Sequence, residues 1–127
     1  MHYNKHAKSY VDNFNSLLDK SDAARTSGDF KTYTELTRLL KFNGGGHINH
    51  EFFWQSLSPK SEKGGKLPIS TSNLSKLVQD EWGSYENLIK YFNTESAKIM
   101  GSGWAWLLFN NTTKKLEYRT TAIHDVV

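Results

Sequence analysis

The sequence has 127 residues, of which 16 are Lys or Arg and 13 are Asp or Glu, so the formal net charge is +3 with neutral histidines. This length suits one domain or two small ones. The lack of cysteine excludes a disulfide scaffold, a thiolate nucleophile and cysteine-ligated zinc or iron–sulfur sites. No apolar run approaches the roughly 18–20 residues that span a bilayer, and the first ten residues lack the apolar stretch of a secretory signal, so we expect no membrane partner.

The charge pattern argues against a nucleic-acid partner. Basic residues are interleaved with carboxylates, as in DKSD at 19–22 and KSEK at 60–63. Nucleic-acid-binding proteins usually concentrate Lys and Arg on one face. The pattern therefore predicts a mixed, solvated surface with a weak positive field that attracts small anions.

The N-terminal part predicts two antiparallel helices. Apolar residues recur at helical spacing over 10–18 and again over 33–40. Between these stretches, Gly28 is suited to end the first helix and Asp29 to cap the start of the second. The simplest interpretation is a long helical hairpin.

A polar stretch containing both prolines, Pro59 and Pro68, divides the chain. It also carries Gly64 and Gly65, which favour turns. We therefore predict a helical hairpin domain over 1–57, a linker over 58–69 and a partial C-terminal α/β domain over 70–127.

The C-terminal part predicts helices followed by a hairpin. Apolar stripes over 74–82 and 85–99 have helical spacing; the first stops at Gly83, and Ser84 is suited to cap the second. The aromatic run 104–109, the turn-forming residues 110–115 and the alternating run 116–121 are typical of a β-hairpin. The predicted fold class is α+β, with an N-terminal helical hairpin followed by helices and a small antiparallel sheet.

Histidines are the first candidates for chemistry. His2, His6 and Tyr10 share one face of the first helix, and His47 and His50 lie three residues apart on the second. One histidine from each of two packed helices can begin a metal site. The alternative is that such pairs are surface or core coincidences. Residues 2–6 lack the glutamate that a zinc-protease helix requires, which excludes that class.

Three consecutive glycines at 44–46 are the second unusual feature. Glycine costs a helix about 1 kcal/mol relative to alanine, so a run of three suggests that backbone approaches backbone there, or that side chains are cleared from a crowded point. An ordinary flexible loop is the alternative, but it leaves unexplained the aromatic residues FFW at 52–54. An aromatic-walled pocket beside a histidine would control solvent access to a metal.

Three segments resemble the iron/manganese superoxide dismutases. They are HYNKHAKSYV at 2–11, FNGGGHINHEFFW at 42–54 and GSGWAW at 101–106. The segments follow the family's order and spacing, the likeness covers essentially the whole chain, and mitochondrial-type manganese members are the most similar.

The resemblance implies a site. His2 and His50 match the two metal-binding histidines of the N-terminal helices, and Trp54 and Trp104 match the aromatic walls of the pocket. His47 matches no ligand, and we expect a structural role for it.

Three further residues match the family's hydrogen-bond network. His6 and Tyr10 match residues that gate the substrate funnel and pass protons. His124 falls where manganese members usually have a glutamine that contacts the metal-bound solvent. A hydrogen-bond donor at this place tunes the pKa of the bound solvent and the reduction potential of the metal, so this histidine weakens any preference for manganese over iron.

The implied activity is antioxidant: dismutation of superoxide to dioxygen and hydrogen peroxide, with manganese as the cofactor and iron as the alternative. The resemblance also implies a homodimer or homotetramer in the mitochondrial matrix, with the cytoplasm as the alternative compartment.

The sequence departs from the family pattern at both ends. The family's lead-in before the first helix does not precede His2, and its Asp-x-Trp-x-x-His segment, which carries the other two ligands, does not occur. The spacing from Trp104 does not make Asp125 a ligand. We therefore expect these 127 residues alone to have little dismutase activity. The alternatives are a non-catalytic structural relative, such as a mitochondrial ribosome-type subunit, and a helical zinc-binding or nucleic-acid module.

Overall fold

The structure, a computed structural model, describes residues 2–62 and 64–127. Its helices and strands confirm the predicted α+β class. Their order is a π-helical segment His2–Ala7, α1 Lys8–Ser27, α2 Phe30–Ser56, a 3₁₀ turn Lys60–Glu62, α3 Asn73–Trp82, α4 Tyr85–Ser96, β1 Gly103–Phe109 and β2 Leu116–Ala122. No helix in the described part of the chain combines the length and apolarity that a bilayer crossing requires.

The turn between α1 and α2 is built by the two predicted residues. Gly28 has a φ of 77°, in the left-handed region that glycine adopts without steric cost, and its N–H donates to the carbonyls of the last turn of α1. The Asp29 carboxylate accepts a hydrogen bond from the Thr32 N–H at 3.1 Å, which satisfies an otherwise unpaired donor of α2. The two helices are therefore joined by a short turn into the predicted long hairpin.

Helix α2 continues without interruption through the glycine run, so residues 44–46 are not a loop. Each faces a close neighbour, with the least room at Gly45 and Gly46. A Cβ on Gly44 would lie 3.0 Å from the Phe14 ring, and one on Gly46 would lie 2.6 Å from the Tyr10 ring. The glycines therefore let α1 pack closely against α2.

The chain divides into two compact units. One comprises the residues up to Leu57 together with His124–Val127, and the other comprises Ser58–Ile123. The last four residues thus pack with the helical hairpin, and the domain bounds given from the sequence stay a prediction. Gly45 receives them, because a Cβ there would lie 2.0 Å from the carbonyl oxygen of His124.

The second unit has a small apolar core. Val78 of α3, Leu88 of α4 and Leu116 of β2 are buried together, with Trp82 and Tyr85 packed against them. The strands β1 and β2 pair antiparallel, in a register that runs from Gly103 opposite Ala122 to Phe109 opposite Leu116. The predicted β-hairpin is therefore present.

Removing the cap of α3 should destabilise the second unit. The Ser72 hydroxyl accepts a hydrogen bond from the Ser75 N–H at 3.1 Å. We expect Ser72→Ala to lower the free energy of unfolding by about 1 kcal/mol in urea titrations, because that N–H loses its partner. Ser70→Ala, at an exposed position just upstream, is the control and should leave stability unchanged; equal losses in both variants would contradict the capping role.

Candidate metal centre

Three histidine side chains converge between the π-helical segment and α2. One ring nitrogen from each of His2, His6 and His50 lies within 4.8 Å of the others, and the Nε2 atoms of His2 and His50 are 3.0 Å apart. His50 is only 4% exposed, whereas His2 and His6 are exposed. The cluster therefore has a buried base and an open side, both within the first unit.

Hydrogen bonding fixes the tautomer of His50. Its Nδ1–H donates to the carbonyl oxygen of Gly46 at 2.6 Å. In the neutral imidazole this leaves Nε2 as the atom with the lone pair, and that atom faces His2. The His2 Nε2–H consequently donates to it in the metal-free chain.

The two facing imidazoles fit a metal ion. Nitrogen ligands lie about 2.0–2.1 Å from a bound zinc ion, so two ligands at roughly a right angle are about 3 Å apart. The observed separation of 3.0 Å between the His2 and His50 nitrogens matches this spacing. Ligating histidines also characteristically donate their second N–H to a carbonyl or carboxylate, as His50 does to Gly46.

Tyr10 joins the cluster to the last residues of the chain. Its hydroxyl oxygen lies 2.8 Å from Nε2 of His124 and 3.2 Å from Nε2 of His6. Because a phenol carries one proton, it donates to one imidazole and accepts from the N–H of the other. Tyr10 is itself 7% exposed and packs against the ring of His50 at a centroid distance of 5.3 Å.

Burial sets the protonation of these groups. It lowers the pKa of His50 and of His124 below the usual histidine value, and the positive charge that neighbouring imidazoles would carry lowers both further, although the Gly46 carbonyl opposes this at His50. Burial also raises the pKa of the Tyr10 phenol. The neutral imidazoles of His50 and His124 and the protonated phenol of Tyr10 are therefore favoured at neutral pH.

Trp54 borders the histidines. Its ring lies 5.4 Å from that of His2, edge to face, and 6.2 Å from that of His50. Its indole Nε1–H is buried and has no acceptor among residues 2–62 and 64–127. The indole ring thus lies beside both candidate ligands.

Two other residues that the sequence had singled out are not among the three clustered histidines. His47 points to Glu51, 3.9 Å from its carboxylate, with a side chain 44% exposed. Trp104 lies on β1 in the second unit, where its ring stacks on that of Trp106 at 5.6 Å. Its assignment to the pocket stays a prediction.

Two neighbours of the cluster were given no role from the sequence. The ring of Phe42 packs edge to face against the rings of Tyr10 and His124, at centroid distances of 6.0 and 4.8 Å. Asn49 is fully buried, and its side-chain N–H donates to the carbonyl oxygen of Asp125 at 3.2 Å. The glycine run was the available signal, since it indicated either an approaching backbone or a crowded point on α2, but it did not indicate which segment lies there.

Removing the Tyr10 hydroxyl should weaken the first unit. We expect Tyr10→Phe to lower the free energy of unfolding by about 1–2 kcal/mol, because His6 and His124 lose a shared partner in a partly buried place. Urea titration measures the change. Tyr33→Phe is the matched control, since no described residue hydrogen-bonds the Tyr33 hydroxyl; a loss as large in the control would refute the role of the bridge.

Two family models match the chain. The model described as iron/manganese superoxide dismutases, alpha-hairpin domain, matches residues 1–58. The model described as iron/manganese superoxide dismutases, C-terminal domain, matches residues 70–127. Together they cover nearly all of the sequence.

Curated relatives agree with these matches. The mitochondrial manganese superoxide dismutase 3.4 of Zea mays is 43% identical over 125 residues, which are 98% of this chain and 53% of the relative. A mitochondrial manganese superoxide dismutase of Cryptococcus neoformans var. grubii is 45% identical over 98% of this chain and 55% of its own length. An iron superoxide dismutase of Tetrahymena pyriformis is 43% identical over 91% of this chain and 59% of its own length.

The chain thus spans about half the length of the curated relatives it matches. Within that span, both halves of the sequence match the same family, in the family's order. The chain belongs to the iron/manganese superoxide dismutase family.

Proposed function

We propose that this chain takes part in the metal-dependent dismutation of superoxide to dioxygen and hydrogen peroxide. The observation that carries the proposal is the pair of imidazole nitrogens from His2 and His50, 3.0 Å apart on two packed helices. The relatives are named manganese or iron superoxide dismutases, which makes manganese the first candidate and iron the alternative. No feature of the described residues favours a non-catalytic structural role.

In this proposal, Nε2 of His2 and Nε2 of His50 hold the metal. When bound, a redox metal would supply the one-electron oxidation and the one-electron reduction that dismutation requires. The Gly46 carbonyl orients the His50 ring and keeps its proton on Nδ1, so that Nε2 stays available. Trp54 excludes water from one side of the pair, and we assign Trp104 to the same pocket from the family resemblance.

Tyr10, His6 and His124 handle protons in this proposal. The product peroxide requires two protons, and the Tyr10 hydroxyl lies between two imidazole nitrogens at 2.8 and 3.2 Å. A proton that leaves the phenol can be replaced by the ring whose N–H faces the hydroxyl, and the other ring accepts the proton of the phenol. The three side chains thereby form a short relay beside the cluster.

The proposal extends to charge, location and assembly. A net charge of +3 gives a weak attraction for an anionic substrate. Several relatives are named mitochondrial, which supports a mitochondrial location, and we assign the matrix. We also propose a homodimer or homotetramer, as the family resemblance implies.

A chimera tests the proposed activity. Residues 1–127 would replace the matching part of the Zea mays relative, so that this relative supplies the rest of its own length, of which the match covers 53%. We expect the manganese-loaded chimera to remove superoxide in pulse radiolysis. The variant His2→Gln should reduce turnover at least about tenfold, because the ligand is lost, whereas His47→Gln should not.

Two results would contradict the proposal. One is a folded, metal-loaded chimera that does not accelerate superoxide decay. The other is equal loss of turnover in His2→Gln and His47→Gln, which would show that the facing pair has no special role. Circular dichroism of each variant separates a lost activity from a lost fold.

A further inference from the structure

Asp125 makes two contacts with α2 that a metal-ligand role does not explain. Its carboxylate pairs with the Lys41 ammonium at 2.7 Å, and its backbone carbonyl accepts the hydrogen bond from the Asn49 amide at 3.2 Å. Its neighbour in the chain is His124, whose ring contacts Tyr10. Asp125 is therefore held on α2 by both its side chain and its backbone.

We propose that Asp125 is a positioning residue: through Lys41 and Asn49 it holds His124 in hydrogen-bond contact with Tyr10. The inference rests on the proposed function only where it assigns the His124–Tyr10 contact to the proton relay. The contact itself is a property of the metal-free chain.

The receiving surface is a single stripe of α2. Lys41, Gly45 and Asn49 are spaced four residues apart, so they share one face of the helix. Lys41 contacts the Asp125 side chain, Asn49 contacts its carbonyl, and Gly45, between them, leaves room for the His124 carbonyl. The stripe therefore provides an ammonium group and an amide that bind Asp125, and a glycine that leaves space for the backbone of His124.

Residues 124–127 need such anchors because they belong to no helix or strand. Fixing a residue's backbone in one conformation costs about 1–2 kcal/mol, and no ladder of hydrogen bonds offsets that cost here. The His124 ring fits between Tyr10 and Phe42, each at a centroid distance of 4.8 Å. Contacts that fix Asp125 therefore reduce the entropy that His124 must lose to stay there.

The ion pair contributes modestly because it is solvent-exposed, with side chains 74% and 54% exposed. An exposed pair of this kind changes an equilibrium about two- to fivefold. We expect its loss to raise the ratio of displaced to docked His124 by that factor. The Asn49 bond, which uses the backbone, should remain when only the charge is removed.

The test measures the ring of His124 directly. The full 127-residue chain, labelled with ¹⁵N in its imidazoles and treated with a chelator, is compared with Asp125→Asn, Lys41→Met and the charge-swapped double variant Lys41→Asp/Asp125→Lys. His124→Gln assigns the resonance. Asp22→Asn is the matched control, since it removes an equally exposed ion pair, with Arg25.

We expect the His124 ring resonances to move towards random-coil values in both single variants and to return in the swapped double variant. The resonances of His47, which points to Glu51, should stay fixed, and Asp22→Asn should leave His124 unchanged. His124 resonances that are unchanged in Asp125→Asn, or equally moved in Asp22→Asn, would overturn the proposal. Neither metal nor superoxide is present, so failure of the proposed function would not alter this result.

Discussion

Replacing Gly45 with alanine is expected to expel residues 124–127 from α2 and to destabilise the first unit by about 2 kcal/mol or more. The added Cβ would lie 2.0 Å from the His124 carbonyl oxygen, a backbone atom that cannot rotate away. The expulsion would break the contacts of His124 with Tyr10 and of Asp125 with Asn49. Urea unfolding and the His124 ring resonances measure the two effects.

Gly44→Ala is the matched control, one residue earlier in the same helix. Its Cβ would meet the Phe14 ring at 3.0 Å, and that side chain can shift by a few tenths of an ångström. Alanine also favours a helix over glycine by about 1 kcal/mol, so we expect little net change. If Gly45→Ala proved as stable as Gly44→Ala, with His124 unmoved, the docking of the last residues on α2 would be wrong.

Replacing His50 with alanine is expected to weaken metal binding at least about tenfold. The substitution removes the buried nitrogen of the cluster and leaves His2 and His6, both exposed, to bind alone. Isothermal titration of the chain with Mn²⁺ measures the dissociation constant.

The control for this variant is His47→Ala. His47 lies one helical turn from His50 but points to Glu51, so its loss should not change the affinity. A dissociation constant that rises equally in both variants would mean that the bound ion is held by the surface charge of α2 and not by the cluster.

Local signals in the sequence predicted most of the secondary structure. Gly28 and Asp29 mark the turn between the first helices because a left-handed backbone and a capping carboxylate are needed within a few residues of each other. The end of α3 at Gly83 and the cap of α4 at Ser84 follow from the same rules. Such features depend only on neighbours in the chain, so one sequence is sufficient to recognise them.

The glycine run shows where local rules fail. Helical propensity alone disfavours residues 44–46, yet α2 continues through them. Glycines stand at these positions because small residues are required where Tyr10 and the His124 backbone approach the helix. The pairing of His2 with His50 came from the family resemblance, and spacing alone left it open. The contacts of Asp125 with Lys41 and Asn49 could not be predicted, since they join segments far apart in sequence.

The central claim is that His2 and His50 together hold the metal. Pulsed electron paramagnetic resonance of Mn²⁺ added to the 127-residue chain tests it most directly, because nitrogen bound to the ion gives a hyperfine coupling. We predict coupling to two imidazole nitrogens, one of which is absent in His2→Ala and the other in His50→Ala. Bound Mn²⁺ without imidazole coupling, or with coupling that survives both substitutions, would contradict the claim.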